Sequence, residues 1–144
     1  MKYLLDTCVI SELVKKEPHP AVIRWMDACD ESRMYLSVLT IVELIKGITK
    51  LPEGDRREKL QFWASNDLAL RFGQRLVEID AEIAWAWGTL LGEAEKQGEK
   101  LPVVDSLIAV SANVHGLTVV TRNVQDIARC QAKVFNPWES QPDR

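Results

Sequence analysis

Five short apolar or β-branched segments, each too far from the next for a hairpin, restrict this chain more than any other feature. They cover residues 2–6 (KYLLD), 34–38 (MYLSV), 75–79 (RLVEI), 117–121 (LTVVT) and 133–135. Segment 117–121 carries the strongest β signal, and 75–79 and 133–135 the weakest. Helical patterns fill the intervals at 7–14, 21–29, 39–50, 56–71, 80–97 and 101–115. Ile41, Leu44, Ile45 and Ile48 repeat at i, i+3, i+4 and i+7, which predicts the core face of their helix. Asp80 is positioned to cap the helix at 80–97 and Gly98 to end it. Asp105 is positioned to cap the least polar helix, which Gly116 closes. Strands that alternate with helices pair in parallel and are covered on both faces. The expectation is a single three-layer α/β/α domain over residues 1–144, a short parallel sheet flanked by helices.

With 144 residues the chain has the size of one domain. Apolar residues make up 47% and charged residues 27%, a mix that excludes intrinsic disorder. Lys and Arg number 18 against 21 Asp and Glu, a net charge of −3 that excludes a generic basic nucleic-acid coat. A local basic groove stays possible. No apolar run approaches the roughly 20 residues of a membrane-spanning helix. The opening MKYLLDTCVI is too short and too interrupted for a secretion signal, so the reading is cytoplasmic. Cys8, Cys29 and Cys130 form no CxxC pair, and with only His19 and His115 a zinc site is disfavoured.

In an open parallel sheet, function gathers outside the carboxyl ends of the strands. Asp6 ends the first segment, Asp105 opens the apolar helix, and Asp126 follows the 117–121 strand. Glu43 lies on the helix after the second strand, about 150° from the centre of its apolar stripe. Each acid has a plain structural use. Asp6 and Asp105 suit helix N-caps, Asn123 and Asp126 have capping-box spacing, and Glu43 suits a solvated face beside Lys46. The topology nevertheless brings these ends to one cleft, where carboxylates repel one another unless a cation binds. Oxygen ligands without Cys or His point to Mg²⁺ or Mn²⁺. The chemistry implied is metal-dependent phosphodiester hydrolysis.

Four blocks in order, LLDTCVISEL, SVLTIVELIKG, LPVVDSLIAVSA and TVVTRNVQDI, resemble the signature blocks of PIN-domain ribonucleases. The closing NPW (136–138) and the RR of GDRREKL are similar to the VapC/FitB-like branch, the toxin halves of toxin–antitoxin pairs. The resemblance implies that Asp6, Glu43 and Asp105 form an acidic catalytic triad that holds Mg²⁺ or Mn²⁺. It leaves the fourth ligand open between Asn123 and Asp126, because the family acid after the last long strand is Asn123 here. Thr7 and Thr121 resemble family hydroxyls that border the site and meet substrate. It further implies a homodimer held by a cognate antitoxin, with DNA contacted only through that antitoxin.

Other classes fit less well. An aspartyl phosphatase needs a second acid two residues after the nucleophile, and position 8 is Cys. Neither His19 nor His115 is placed to activate Cys8 as a nucleophile, so a buried structural cysteine is the expectation. No glycine-rich phosphate loop is present. A non-catalytic PIN-like RNA- or protein-binding scaffold and a DNA-directed nuclease on the same fold remain as alternatives. Phosphate contacts are expected from Lys15, Lys16, Lys46, Arg56, Arg57, Lys59 and above all Arg122, next to the site. Single-stranded or loop RNA is the favoured substrate. In the helix at 80–97, Ile83, Ala84, Trp87, Leu90, Leu91 and Ala94 form one stripe. Trp85 points away from it, toward a covering loop or an interface.

Overall fold

The computed structural model describes residues 1–139, so 140–144 of the expected domain lie outside the described residues. The strands are β1 (Tyr3–Leu5), β2 (Met34–Ser37), β3 (Leu76–Val77), β4 (Thr118–Val120) and β5 (Val134–Phe135). They form one sheet in the order β3-β2-β1-β4-β5, and every pairing is parallel. The helices are α1 (Thr7–Leu13), α2 (Pro20–Ala28), α3 (Val38–Thr49), α4 (Asp55–Phe62), α5 (Ala69–Phe72), α6 (Ala81–Lys96), α7 (Val103–His115) and α8 (Val124–Ala128). Among the described residues no helix is long and apolar enough to cross a membrane. The expected α/β architecture and all five strands are present.

Side chains alternate across a strand, so a sheet covered on both faces needs apolar residues in succession. Leu4 and Val119 enter one core, with Ile83 of α6 and Ile108 of α7. Leu5 and Val120 enter the other, with Val9 and Ile10 of α1, Met26 of α2 and Leu44 of α3. Leu4, Leu5, Val119 and Val120 are all 0% exposed. Ser106 Oγ accepts from Trp87 Nε1 at 2.9 Å and joins α7 to α6.

Asp80 caps α6 as expected, its Oδ1 accepting from Ile83 N–H at 3.0 Å. Gly116 ends α7 in the left-handed region, φ 67°, where glycine pays no Cβ penalty. Several local expectations fail. The segment 56–71 is helical throughout, but wider π turns at Trp63–Leu68 interrupt its α-helical winding, and its first part, α4, buries no residue. The α3 core face is Thr40, Leu44 and Ile48, and Ile45 is 40% exposed. The hydroxyl of Thr40, 3.4 Å from that of Thr7 at the start of α1, turns the helix from its most apolar arc. Ala84 of α6 is exposed, the stripe running instead through Ala86. Asp105 is no cap. Pro102 holds that position, and Asp105 is the third residue of α7.

The closing NPW turn packs back onto α1. Trp138 Nε1 donates to Glu12 Oε1 at 3.1 Å, and Lys15 Nζ stands 3.2 Å from the same oxygen. Burial pushes the Glu12 carboxyl up, but the indole and then Lys15 together outweigh it and hold it below the usual carboxylate range. A carboxylate with a lower pKa folded than unfolded stabilises the fold above its unfolded pKa and loses that contribution as pH falls through the folded value. Glu12→Gln should therefore cost about 1–3 kcal/mol at neutral pH. Urea unfolding should show the gap to wild type closing as pH falls below the usual carboxylate range. A gap that is constant with pH would contradict the role of the ionised carboxylate.

Candidate active site

The register of the sheet builds the cleft. Leu5 is level with Leu36 of β2 and Val120 of β4, so β1 and β4 end together and β2 runs one residue further, to Ser37. Asp6 N–H still donates to Val120 C=O at 2.9 Å, so the residue after β1 and the residue after β4 sit side by side. This is the point where strand order reverses about β1, the place where open α/β sheets collect ligands.

Asp6 is 8% exposed, and besides the longer Cys8 Sγ contact at 3.8 Å two close donors hold it. Thr7 N–H donates to Oδ1 at 2.8 Å, the N-cap contact of α1, and the buried Thr121 hydroxyl donates to Oδ2 at 2.8 Å. The capping use and the cleft position coexist, one on each carboxylate oxygen. Thr7 Oγ1 donates to Glu43 Oε1 at 2.5 Å and lies 3.4 Å from Thr40 Oγ1. Glu43 thus faces the cleft, half-buried, rather than solvent beside Lys46. Asn123 N–H donates to Thr121 Oγ1 at 2.9 Å, and its side-chain amide donates to Asp105 Oδ2 at 3.0 Å. The expected capping box does not form. Asn123 makes no side-chain cap, and Asp126 pairs with Arg129 at 3.7 Å.

Burial, followed by the charges of Asp6, Asp126 and Glu43, pushes the Asp105 carboxyl above its ordinary value. Asp105 thus lies within reach of the charge of the other three acids. They do not form a closed cage: among the described residues no three His, Cys, Asp or Glu side chains are grouped as a metal cluster. The donor set fits a hard cation all the same. Its oxygens are carboxylates, amide and hydroxyl, and their mutual repulsion is what a divalent ion relieves.

Cys8 is half-buried rather than fully buried, packed against the core below the cleft, its Sγ accepting from Arg122 N–H at 3.4 Å. Burial and then the charge of Asp6 push its thiol up, which disfavours a thiolate nucleophile. Arg122 is exposed, its guanidinium 5.2 Å above the centroid of the Trp138 ring. Lys16, Arg56 and Lys59 meet around an open groove of about 440 Å³. Lys15 is tied to Glu12, and Lys46 is exposed on α3. Trp85 is 80% exposed beside a groove of about 460 Å³ between α6 and α7, and no described loop covers it. Thr40 and Trp138 were not among the expected site residues. A polar Thr three residues before Glu43 in an apolar stripe was the signal for the first.

The PIN domain signature matches residues 3–131. The chain belongs to the PIN-domain family. Among its PIN relatives, VapC ribonuclease Y4jK of Sinorhizobium fredii is 34% identical over 94% of this chain and 97% of that protein. Toxin FitB of Neisseria gonorrhoeae is 32% identical over 94% and 97%. Among solved structures, that of FitAB bound to the IR36 DNA fragment superposes with a TM-score of 0.89 at 29% identity, covering 99% of each chain.

A carboxylate whose pKa is raised by folding destabilises the fold while ionised, and stability returns as pH falls through the folded value. In chelator at neutral pH, the PIN domain carrying Asp105→Asn should melt at or slightly above wild type. The difference should vanish on acidification just above the ordinary carboxylate range. A mutant that melts well below wild type in chelator would show that the Asp105 charge is not under repulsion.

Proposed function

We propose that this PIN domain is a Mg²⁺- or Mn²⁺-dependent endoribonuclease that cleaves single-stranded or loop RNA, the toxin half of a cytoplasmic toxin–antitoxin pair. The single observation that carries the reading is the hydrogen-bond chain that links the acids: Thr7 bonds both Asp6 and Glu43, and Asp6 is joined through Thr121 and Asn123 to Asp105. The relatives named VapC ribonuclease and Toxin FitB support the activity and the toxin role, and the FitAB complex on DNA supports an antitoxin that makes the DNA contact. A second copy of the chain completes the proposed assembly, with the exposed Trp85 as a candidate contact.

Asp6, Glu43 and Asp105 would hold the ion, with Asn123 beside them, closer to Asp105 than the Arg129-paired Asp126. When bound, the ion supplies activation of water and charge stabilisation at the phosphoryl group. The chain's own residues prepare for this. Thr121 and the Thr7 amide fix both oxygens of Asp6, so its carboxylate does not reorganise when substrate arrives. Thr7 orients Glu43 through its hydroxyl, and Asn123 orients Asp105. Arg122 offers a guanidinium to a phosphate oxygen, and the groove of Lys16, Arg56 and Lys59 suits the backbone of a longer strand.

Single-stranded RNA incubated with the purified chain in Mg²⁺ or Mn²⁺ should be cleaved, EDTA should abolish cleavage, and excess metal should restore it. Asp6→Asn and Glu43→Gln should each lower the rate by about 100-fold or more, the scale of losing one preorganised charge-stabilising group. Cleavage that persists in EDTA would overturn the metal reading. Cleavage of duplex DNA in preference to RNA would favour the DNA-directed alternative, and cleavage of neither would favour the scaffold.

A further inference from the structure

Arg122 is placed where it should collapse into the acidic cleft, and it does not. Its two chain neighbours are bonded directly to the acids: Thr121 to Asp6 and Asn123 to Asp105. Its own N–H points at Cys8, which also borders Asp6. A guanidinium that reaches one of these carboxylates would gain from a charge-assisted pair with it. Among the described residues the structure shows no ion pair for Arg122. The guanidinium instead lies over the indole of Trp138, at cation–π distance.

Trp138 is itself fixed at two points. Its backbone N–H donates to Asn136 Oδ1 at 2.9 Å, and its indole N–H donates to Glu12 Oε1 at 3.1 Å. Glu12 also holds Lys15, so the acid nearest the indole is already satisfied. The stack opens onto a groove of about 480 Å³ that Arg122 and Trp138 line with Lys15, His19 and the two acids Glu12 and Glu17.

We infer that Trp138 is a positioning residue that holds Arg122 out of the acidic cleft. This keeps Asp6, Glu43 and Asp105 free for a divalent cation, and keeps the guanidinium facing the groove for an RNA phosphate. Without the ring, Arg122 swings onto the carboxylates and competes with the ion as an internal cation. The inference rests on the reading of those acids as cation ligands.

The test is Mn²⁺ titration of the purified full chain by calorimetry, with no substrate. Trp138→Leu removes the stack, Trp138→Phe keeps a ring while losing the bond to Glu12, and Trp138→Leu/Arg122→Gln removes the competitor as well. Trp138→Leu should weaken Mn²⁺ binding roughly two- to fivefold, the scale of one exposed ion pair that the cation must break. Trp138→Phe should bind as wild type does although it shares the loss of the Glu12 contact, and the double variant should recover wild-type affinity or better. Upfield ring-current shifts of the Arg122 Hδ protons in the wild type, and their loss in Trp138→Leu, give a readout independent of metal.

Failure of the wild type to bind Mn²⁺ would overturn the metal reading and this inference together. Equal binding by wild type and Trp138→Leu would overturn this inference alone. So would a double variant as weak as Trp138→Leu, because the loss would then not come from Arg122.

Discussion

The carboxyl end of β1 fixes the cleft because β1 has no freedom of register. It is three residues long and lies in the middle of the sheet, and its Leu4 and Leu5 fill opposite cores at 0% exposure. A slip of one residue would exchange the two faces and put Tyr3 or Asp6 where a leucine packs now. It would also draw Asp6 away from Thr121, whose hydroxyl reaches it only because β1 and β4 end level. Packing on both faces therefore sets the position of the first acid. The two Thr hydroxyls and the Asn123 amide then pass that position on to Glu43 and Asp105.

The cleft holds charge at some cost to the fold. Asp105 lies in the first turn of α7, where the helix dipole favours an anion, yet burial and the neighbouring acids push its carboxyl up. Hydrogen-bond donors temper the repulsion without cancelling it. Local strain of this kind is expected where a site is kept for a ligand rather than for stability. Arg122 fits the same pattern from the other side, a cation kept beside the acids and apart from them.

The layer order and the acids were legible in the sequence because both follow from strand ends. Segments 2–6 and 117–121 each carry adjacent apolar residues, Leu4–Leu5 and Val119–Val120, and a strand buried on both faces needs that. Asp6 and Asp126 stand at or after such ends, where an open parallel sheet places its cleft. The failures arose where tertiary contact overrode a local rule. Periodicity put Ile45 inside, but the contacts of Thr40 with Thr7 set the rotation of α3. Spacing made Asn123 and Asp126 a capping box, whereas the Asn123 amide is used across the cleft by Asp105. The Trp138 stack joins residues far apart in the chain, and no short-range pattern marks it.

The measurement that tests the central claim most directly is anomalous diffraction at the manganese edge from crystals of the chain equilibrated with Mn²⁺. The account predicts an anomalous peak in the cleft, within ligand distance of Asp6 and Asp105 oxygens and facing Glu43. Full occupancy elsewhere on the molecule with no peak in that cleft, at a Mn²⁺ concentration that supports RNA cleavage, would contradict it.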